Sequence, residues 1–175
     1  MTADEVMFSA AVRAEQARRG SREKSARQAA AGRFASALAE DVMAFIAARD
    51  SAYLATASAD GQPYVQHRGG PAGFLRVLDE RTIAFADYAG NRQYISTGNL
   101  AENERAFLFL MDYNAGRRLK LWGRARVVAA DPELFARLAD PGYEACIERA
   151  IVFTVCACDW NCSQHIPRLV PAEAP

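Results

Sequence analysis

The chain has no excess charge of either sign. Its 21 lysines and arginines balance 21 acidic residues, so no net field draws it to nucleic acid or to an anionic membrane surface. No apolar run reaches the roughly 20 residues that a membrane span needs. The N-terminus lacks the apolar core and cleavage site of a secretory signal. Its Arg, Ala and Ser content is that of a transit peptide, but Asp4, Glu5, Glu15 and Glu23 fit a solvated helix face instead. Cysteine is sparse, four in 175 residues, and without an export signal these are expected as thiols in a reducing cytoplasm. Histidine is sparser, with His67 and His165 alone. Gly69-Gly70-x-x-Gly73 has neither the spacing nor the following helix of a dinucleotide fingerprint. There is no Walker loop, and no Gly-x-Ser-x-Gly elbow to support hydrolase chemistry. No repeat or low-complexity linker divides the chain, and the length suits one domain with a sizeable core.

What is present reads as helices followed by short strands. Residues 4–19 carry Val6, Met7, Ala10, Ala11 and Ala14 at helical spacing. Gly20 stops that helix, and Ser21 is placed to cap a second, ending near Gly32. A third, from about Ala35 to Ala48, presents Leu38, Val42, Phe45 and Ile46 as its buried face. Strands follow at Tyr53–Ala57 and Pro63–Arg68, joined through Asp60-Gly61 as a hairpin, then at Phe74–Leu78 and Thr82–Ala86. Gly90–Leu100 interrupts the pattern as a helix-bearing crossover. Ala106–Met111 is apolar on both faces, one to fill a core and one for a partner. In the next strand Leu119, Leu121, Gly123, Ala125 and Val127 face one way and Lys120, Trp122, Arg124 and Arg126 the other. Pro132–Leu138 is a helix and Ile151–Cys158 the last strand. Many short strands with hairpin turns predict a closed or nearly closed barrel.

Three clusters carry possible chemistry. His67-Arg68 ends a strand beside a glycine run. Arg92 follows Gly90 at an expected helix start, where free N–H groups and an arginine suit a phosphate. Asn91, Gln93 and Ser96 add neutral donors. The competing reading makes Arg68 and Arg92 plain surface charges. Arg117, Arg118 and Lys120 open the sixth strand, facing either an anionic ring or solvent. In Asp159–His165, Trp160 is suited to stacking on an aromatic ligand, with Asn161, Gln164 and His165 reading its polar edge; alternatively Trp160 anchors a turn. Cys156, Cys158, Cys162 and His165 form a compact Cys-x-Cys-x3-Cys-x2-His set, but it lacks the paired Cys-x2-Cys knuckles of zinc sites, and buried small thiols are the favoured reading.

Gln62-Pro63-Tyr64-Val65-Gln66-His67-Arg68-Gly69-Gly70, Phe85-Ala86-Asp87-Tyr88-Ala89-Gly90-Asn91-Arg92-Gln93-Tyr94, Leu121-Trp122-Gly123-Arg124-Ala125 and Asp159-Trp160-Asn161-Cys162 together resemble the pyridoxamine 5′-phosphate oxidase-like flavoproteins. Within these, the chain is similar to a bacterial branch ending in Trp-Asn-Cys-x-Gln-His, and the stretch from Met7-Phe8 to Gly20-Ser21 fits too. The resemblance implies a mainly β fold: a six-stranded antiparallel Greek-key split barrel (51–158) with an N-terminal helical segment (1–48) and a C-terminal site wall and tail (159–175). It also implies a homodimer with FMN at the subunit interface. Gln66, His67 and Arg68 then hold the flavin, and Asn91, Arg92 and Gln93 stand where relatives carry a phosphate-binding Ser-Arg-Lys. Asp87 falls at the ring or ribityl chain, Arg118 at a polar flavin contact from either subunit, and Trp160, Asn161, Gln164 and His165 at the wall. The C-terminal Arg-x-His arrangement of true pyridoxamine phosphate oxidases is missing, so vitamin B6 oxidation is not implied.

The leading expectation is an FMN-dependent oxidoreductase acting on an unidentified small molecule, with neither nucleic acid nor membrane as partner. His165 and His67 are its candidate proton-transfer groups, because histidine ordinarily titrates near neutrality. The alternatives are a non-catalytic module binding FMN, haem or a deazaflavin, a redox sensor with Cys162 beside the flavin, and a zinc-stapled structural domain.

Overall fold

The computed structural model describes residues 2–161 and 163–169. The N-terminal stretch expected as one helix is two, α1 (Ala3–Met7) and α2 (Ala10–Arg18). The break has a local cause. Thr2 and Glu5 form a reciprocal capping box on α1, and Ser9 starts a new helix by accepting the N–H of Val12 at 3.3 Å. Between them Phe8 turns out to meet Phe34 edge-on, with ring centroids 5.4 Å apart. α3 (Arg22–Ala30) follows, although Ser21 makes no side-chain cap. None of these three helices buries a residue, so the apolar stripe read from the sequence is not core. The third expected helix is shorter, α4 (Glu40–Ala47), but it buries Val42, Phe45 and Ile46 against the sheet, with Leu38 just ahead of it.

One antiparallel sheet carries the rest: β1 (Ser51–Ala57), β2 (Pro63–Gly69), β3 (Arg76–Asp79), β4 (Thr82–Tyr88), β5 (Arg105–Asp112), β6 (Arg117–Val128) and β7 (Ile147–Trp160). α5 (Ile95–Glu102) crosses between β4 and β5, and α6 (Pro132–Leu138) between β6 and β7. The sheet has seven strands in the order β2-β1-β5-β6-β7-β4-β3, against the six implied by resemblance. The four-residue β3 is an edge strand held only by β4, an addition that leaves the split barrel intact.

Alternation explains which side is inside. Ala52 and Leu54 of β1, Leu108 and Leu110 of β5, and Leu119 and Leu121 of β6 are all fully buried. Gly123 faces inward at a bulge between β6 and β7, where a side chain would strike the Thr154 carbonyl. β4 is buried on both faces: Ile83 and Phe85 enter the barrel, while Ala84 and Ala86 lie under Leu134 and Leu138 of α6. Outside β1, β2 and β5, Tyr53, Val65, Phe107, Phe109 and Tyr113 line an open apolar hollow, and Val65 is 59% exposed.

The barrel closes by side chains. Arg68 on β2, the first strand of the sheet, forms an ion pair with Asp87 on β4, the sixth. In a flat sheet five spacings of about 4.8 Å would hold these strands about 24 Å apart, so the contact requires the sheet to curl. α5 fills the remaining gap: Ser96 donates to the Gln66 side chain at 2.8 Å, and Asn99 to Thr56 at 3.0 Å.

Candidate functional site

The seam opens as a polar mouth. Gln66 and Arg68 lie on the less exposed face of β2, and Asp87 of β4 and Arg149 of β7 continue rows that lower down are apolar core. With Tyr88, Asn91, Arg92, Tyr94, Ser96 and Glu148 they line a cavity of about 180 Å³.

Asp87 is its centre. The residue is 7% exposed, and its two oxygens are divided between strands. Oδ1 takes Nη1 of Arg68, and Oδ2 lies 2.9 Å from Nε of Arg149, directly opposite in the β4–β7 register. The Arg149 approach is an ion pair without hydrogen-bond alignment, because Nε of both Arg149 and Arg68 is buried with no hydrogen-bonded partner. Glu148 pairs with the far side of Arg149, and the Tyr94 ring lies 4.6 Å from its guanidinium carbon. Burial works against the charge of Arg149, but the Tyr94 hydroxyl and the carboxylates of Asp87 and Glu148 outweigh it and raise its pKa. Burial, aided by Tyr143 and Asp140, raises the pKa of Tyr88 in the same wall.

The connection from β4 to α5 is strained. Arg92 and Tyr94 both take left-handed backbone, with φ of 60° and 53°, a region that non-glycine residues rarely occupy. The expected helix start after Gly90 is therefore wrong by several residues: the chain turns twice before α5 begins at Ile95. The Asn91 side chain accepts the N–H of Gln93 at 3.2 Å, bracing the turn that puts Arg92 at the mouth. No side chain caps α5, and the first N–H groups of a helix have no acceptor within it.

Of the residues read from the sequence, Gln66, Arg68, Asp87, Asn91 and Arg92 meet at this mouth, while Gln93 is outside its lining. His67 points to the opposite face of β2, where it is exposed and meets Tyr53 edge-on at 5.7 Å. Arg118, Trp160, Asn161, Gln164 and His165 are elsewhere. Trp160 ends β7 eleven residues from Arg149, about 36 Å of strand. Its ring meets Phe45 edge-on at 4.8 Å, and the Arg117 guanidinium lies 4.1 Å from its centroid, an anchored packing. Asn161 donates its backbone N–H to the Arg118 carbonyl at 3.0 Å, and Nε of Arg118 is buried without a hydrogen-bonded partner. Cys162, central to the zinc and redox readings, lies outside the described residues; Cys156 is half-buried and Cys158 buried.

Sequence reasoning missed Arg149, Glu148, Tyr94 and Thr97. Glu148-Arg149 reads as a charged pair ahead of an apolar run, and only the β4–β7 register brings Arg149 to Asp87. The donor set fits the phosphate end of a nucleotide-like cofactor: three arginines, Arg68 and Arg149 with guanidinium N–H groups left over from their carboxylate partners, and an uncapped helix start, around a small opening.

The family model for pyridoxamine 5′-phosphate oxidase matches residues 38–167. No curated protein matches the chain significantly. Among solved structures it is similar to HupZ of Group A Streptococcus, at 17% identity and TM-score 0.54, over 67% of this chain and 88% of that one. It is similar to an FMN-binding protein of Syntrophomonas wolfei, at 16% and 0.54, over 70% and 85%. A pyridoxinephosphate oxidase family protein of Clostridium acetobutylicum, related to general stress protein 26, aligns at 16% and 0.52, over 67% and 83%. At such identities these three speak for the fold.

Proposed function

Because the chain belongs to the pyridoxamine 5′-phosphate oxidase family, we propose that it is a cytoplasmic FMN-dependent oxidoreductase acting on a small molecule. The observation that carries this reading is the convergence of Arg68, Arg92 and Arg149 on one small mouth at the barrel seam. FMN, when bound, supplies the electron-carrying ring. The chain supplies charge and position: Arg68 and Arg92 bind the phosphate, Ser96 and Thr97 line its seat at the start of α5, and Gln66 is held ready by Ser96.

The protein acts as a homodimer in this reading. Arg118 at the start of β6, and Asn161 and Gln164 beyond the end of β7, are outside the lining of their own chain's mouth and in this reading serve that of a second copy, while Trp160 anchors that end of the barrel on Phe45 and Arg117. The apolar hollow of Tyr53, Val65, Phe107 and Phe109 supports this, being an apolar outer face on a barrel that has already filled its core.

A second reading, a binding or sensing module that holds FMN without turnover, is favoured by one observation. Among the described residues the mouth holds no histidine, and the two carboxylates there, Asp87 and Glu148, are both engaged by arginine. Purified protein is expected to be yellow and to release about one FMN per chain on heating. Rapid bleaching with a pyridine nucleotide or small reductant supports the enzyme, and stable colour without turnover supports the module. Colourless protein that fails to bind added FMN overturns both.

A further inference from the structure

We infer that Arg149 is a specificity-determining residue that selects a phosphate monoester over the same molecule without its phosphate, and that buried Asp87 is the positioning residue that presets it together with Arg68. This rests on the reading of the mouth as the seat of the phosphate end of FMN.

The arrangement is costly unless it serves binding. A carboxylate in the wall of an anion site weakens that site, yet Asp87 is the most enclosed charge of the mouth. Its placement makes sense through what it fixes. Arg68 and Arg149 come from strands that are not neighbours, and one carboxylate ties them both. Each guanidinium carries five N–H donors. Arg68 uses Nη1 on Asp87, and Arg149 uses Nε towards Asp87 and Nη2 on Glu148. Both side chains still line the cavity, each retaining further donors for a ligand. The Tyr94 ring beside Arg149 restrains its guanidinium, and Tyr94 is itself held by left-handed backbone. Rotamer freedom is thus lost before a ligand arrives, which favours affinity and geometric selectivity.

Charge points the same way. Among the described residues, Arg68, Arg92 and Arg149 against Asp87 and Glu148 leave the lining one positive charge in excess. A phosphate monoester meets that excess with charge-assisted, bidentate hydrogen bonds. A neutral hydroxyl in its place leaves the one excess positive charge, and the guanidinium N–H groups not used on Asp87 and Glu148, without an anionic acceptor.

The test compares FMN with riboflavin, by quenching of flavin fluorescence, in the full chain and in Arg149→Gln, Arg149→Lys and Asp87→Asn. Arg149→Gln is expected to lose roughly 10- to 100-fold in FMN affinity while riboflavin affinity holds. Arg149→Lys should recover only part of the loss, since an ammonium cannot form the planar two-point grip. Asp87→Asn discriminates by sign: a positioning role weakens FMN binding although a repelling charge has gone. Tighter FMN binding in Asp87→Asn overturns the positioning role, and an unchanged FMN-to-riboflavin ratio in Arg149→Gln overturns the selection. Circular dichroism checks folding. If Arg149→Gln does not fold, the double variant Asp87→Asn/Arg149→Gln removes both members of that ion pair, leaving the charge balance of the cluster unchanged, and must still show the collapsed ratio. If the wild type binds neither flavin, the FMN reading fails by itself. Thermal protection by inorganic phosphate, lost in Arg149→Gln, then upholds the clamp, and absence of protection refutes it.

Discussion

Gly123→Ala should be among the most damaging single-methyl additions in the barrel. A Cβ at this position would lie 2.3 Å from the Thr154 carbonyl oxygen and 2.5 Å from two ring carbons of Phe153. Ordinary contacts fall at 3.4–4 Å, so the strands must part by about 1 Å. Neither neighbour can yield. The carbonyl belongs to the β6–β7 ladder, and Phe153 is fully buried. Overpacking a well-packed core costs about 1–3 kcal/mol and occasionally more; a clash with backbone belongs at the upper end, about 3 kcal/mol. For a chain of this size that corresponds to a fall in Tm of about 6–12 °C. Gly98→Ala is the matched control. Gly98 lies exposed in α5 with nothing within 4 Å of its added methyl, and its φ is not positive. It should gain about 0.5–1 kcal/mol from helix propensity. Thermal unfolding followed by circular dichroism reads both. A Gly123→Ala protein that melts within a degree of wild type would refute the packing argument at the bulge.

Acid should unfold the protein partly through Asp112. Its carboxylate accepts the Ala115 N–H at 2.8 Å and pairs with Arg49 at 2.9 Å, and these outweigh burial to hold its pKa below the ordinary value. A depressed folded pKa means stability that is fully present above the unfolded value, near pH 4, and lost as pH falls through the folded one. Asp112→Asn should cost about 1 kcal/mol at neutrality and flatten the acid limb of the stability curve; an unchanged limb would remove Asp112 from it. Phe109→Asp places a charge on the outer face of β5 while leaving inward Leu108 and Leu110 alone. In a two-fold dimer the lost aromatic counts twice, about 3–6 kcal/mol. Sedimentation at micromolar concentration should then show monomers with an unchanged far-ultraviolet spectrum, and persistence of a dimer would exclude this face as the interface.

Much of this was legible in local pattern. The alternation from Leu119 to Val127 named both faces of β6, Pro132–Leu138 matches α6, and Leu38, Val42, Phe45 and Ile46 are core. These features depend on periods of two or 3.6 residues that a single segment displays by itself. The break at Phe8-Ser9 was less visible, because a serine cap competes with a continuous helical stripe and geometry decides between them. Arg68 and Arg92 were singled out by their places beside glycines at a strand end and an expected helix start, and Asp87 through motif likeness. Arg149 was not, because its significance lies in pairing with a residue 62 positions earlier, and nothing local distinguishes it from a solvated strand end. Trp160 shows the converse: an aromatic next to polar residues suggested a ligand platform, while Phe45 and Arg117 from distant segments take its ring.

A seam sewn by side chains also changes what substitution can do. The main-chain ladders of β1 with β5, β5 with β6 and β6 with β7 hold the architecture without reference to positions 68, 87 and 149. Those three positions add side-chain contacts across the seam, not main-chain bonds within those ladders. The barrel thereby separates the inheritance of shape from the inheritance of chemistry: descendants of one scaffold can diverge in what they hold at the opening while remaining superimposable everywhere else.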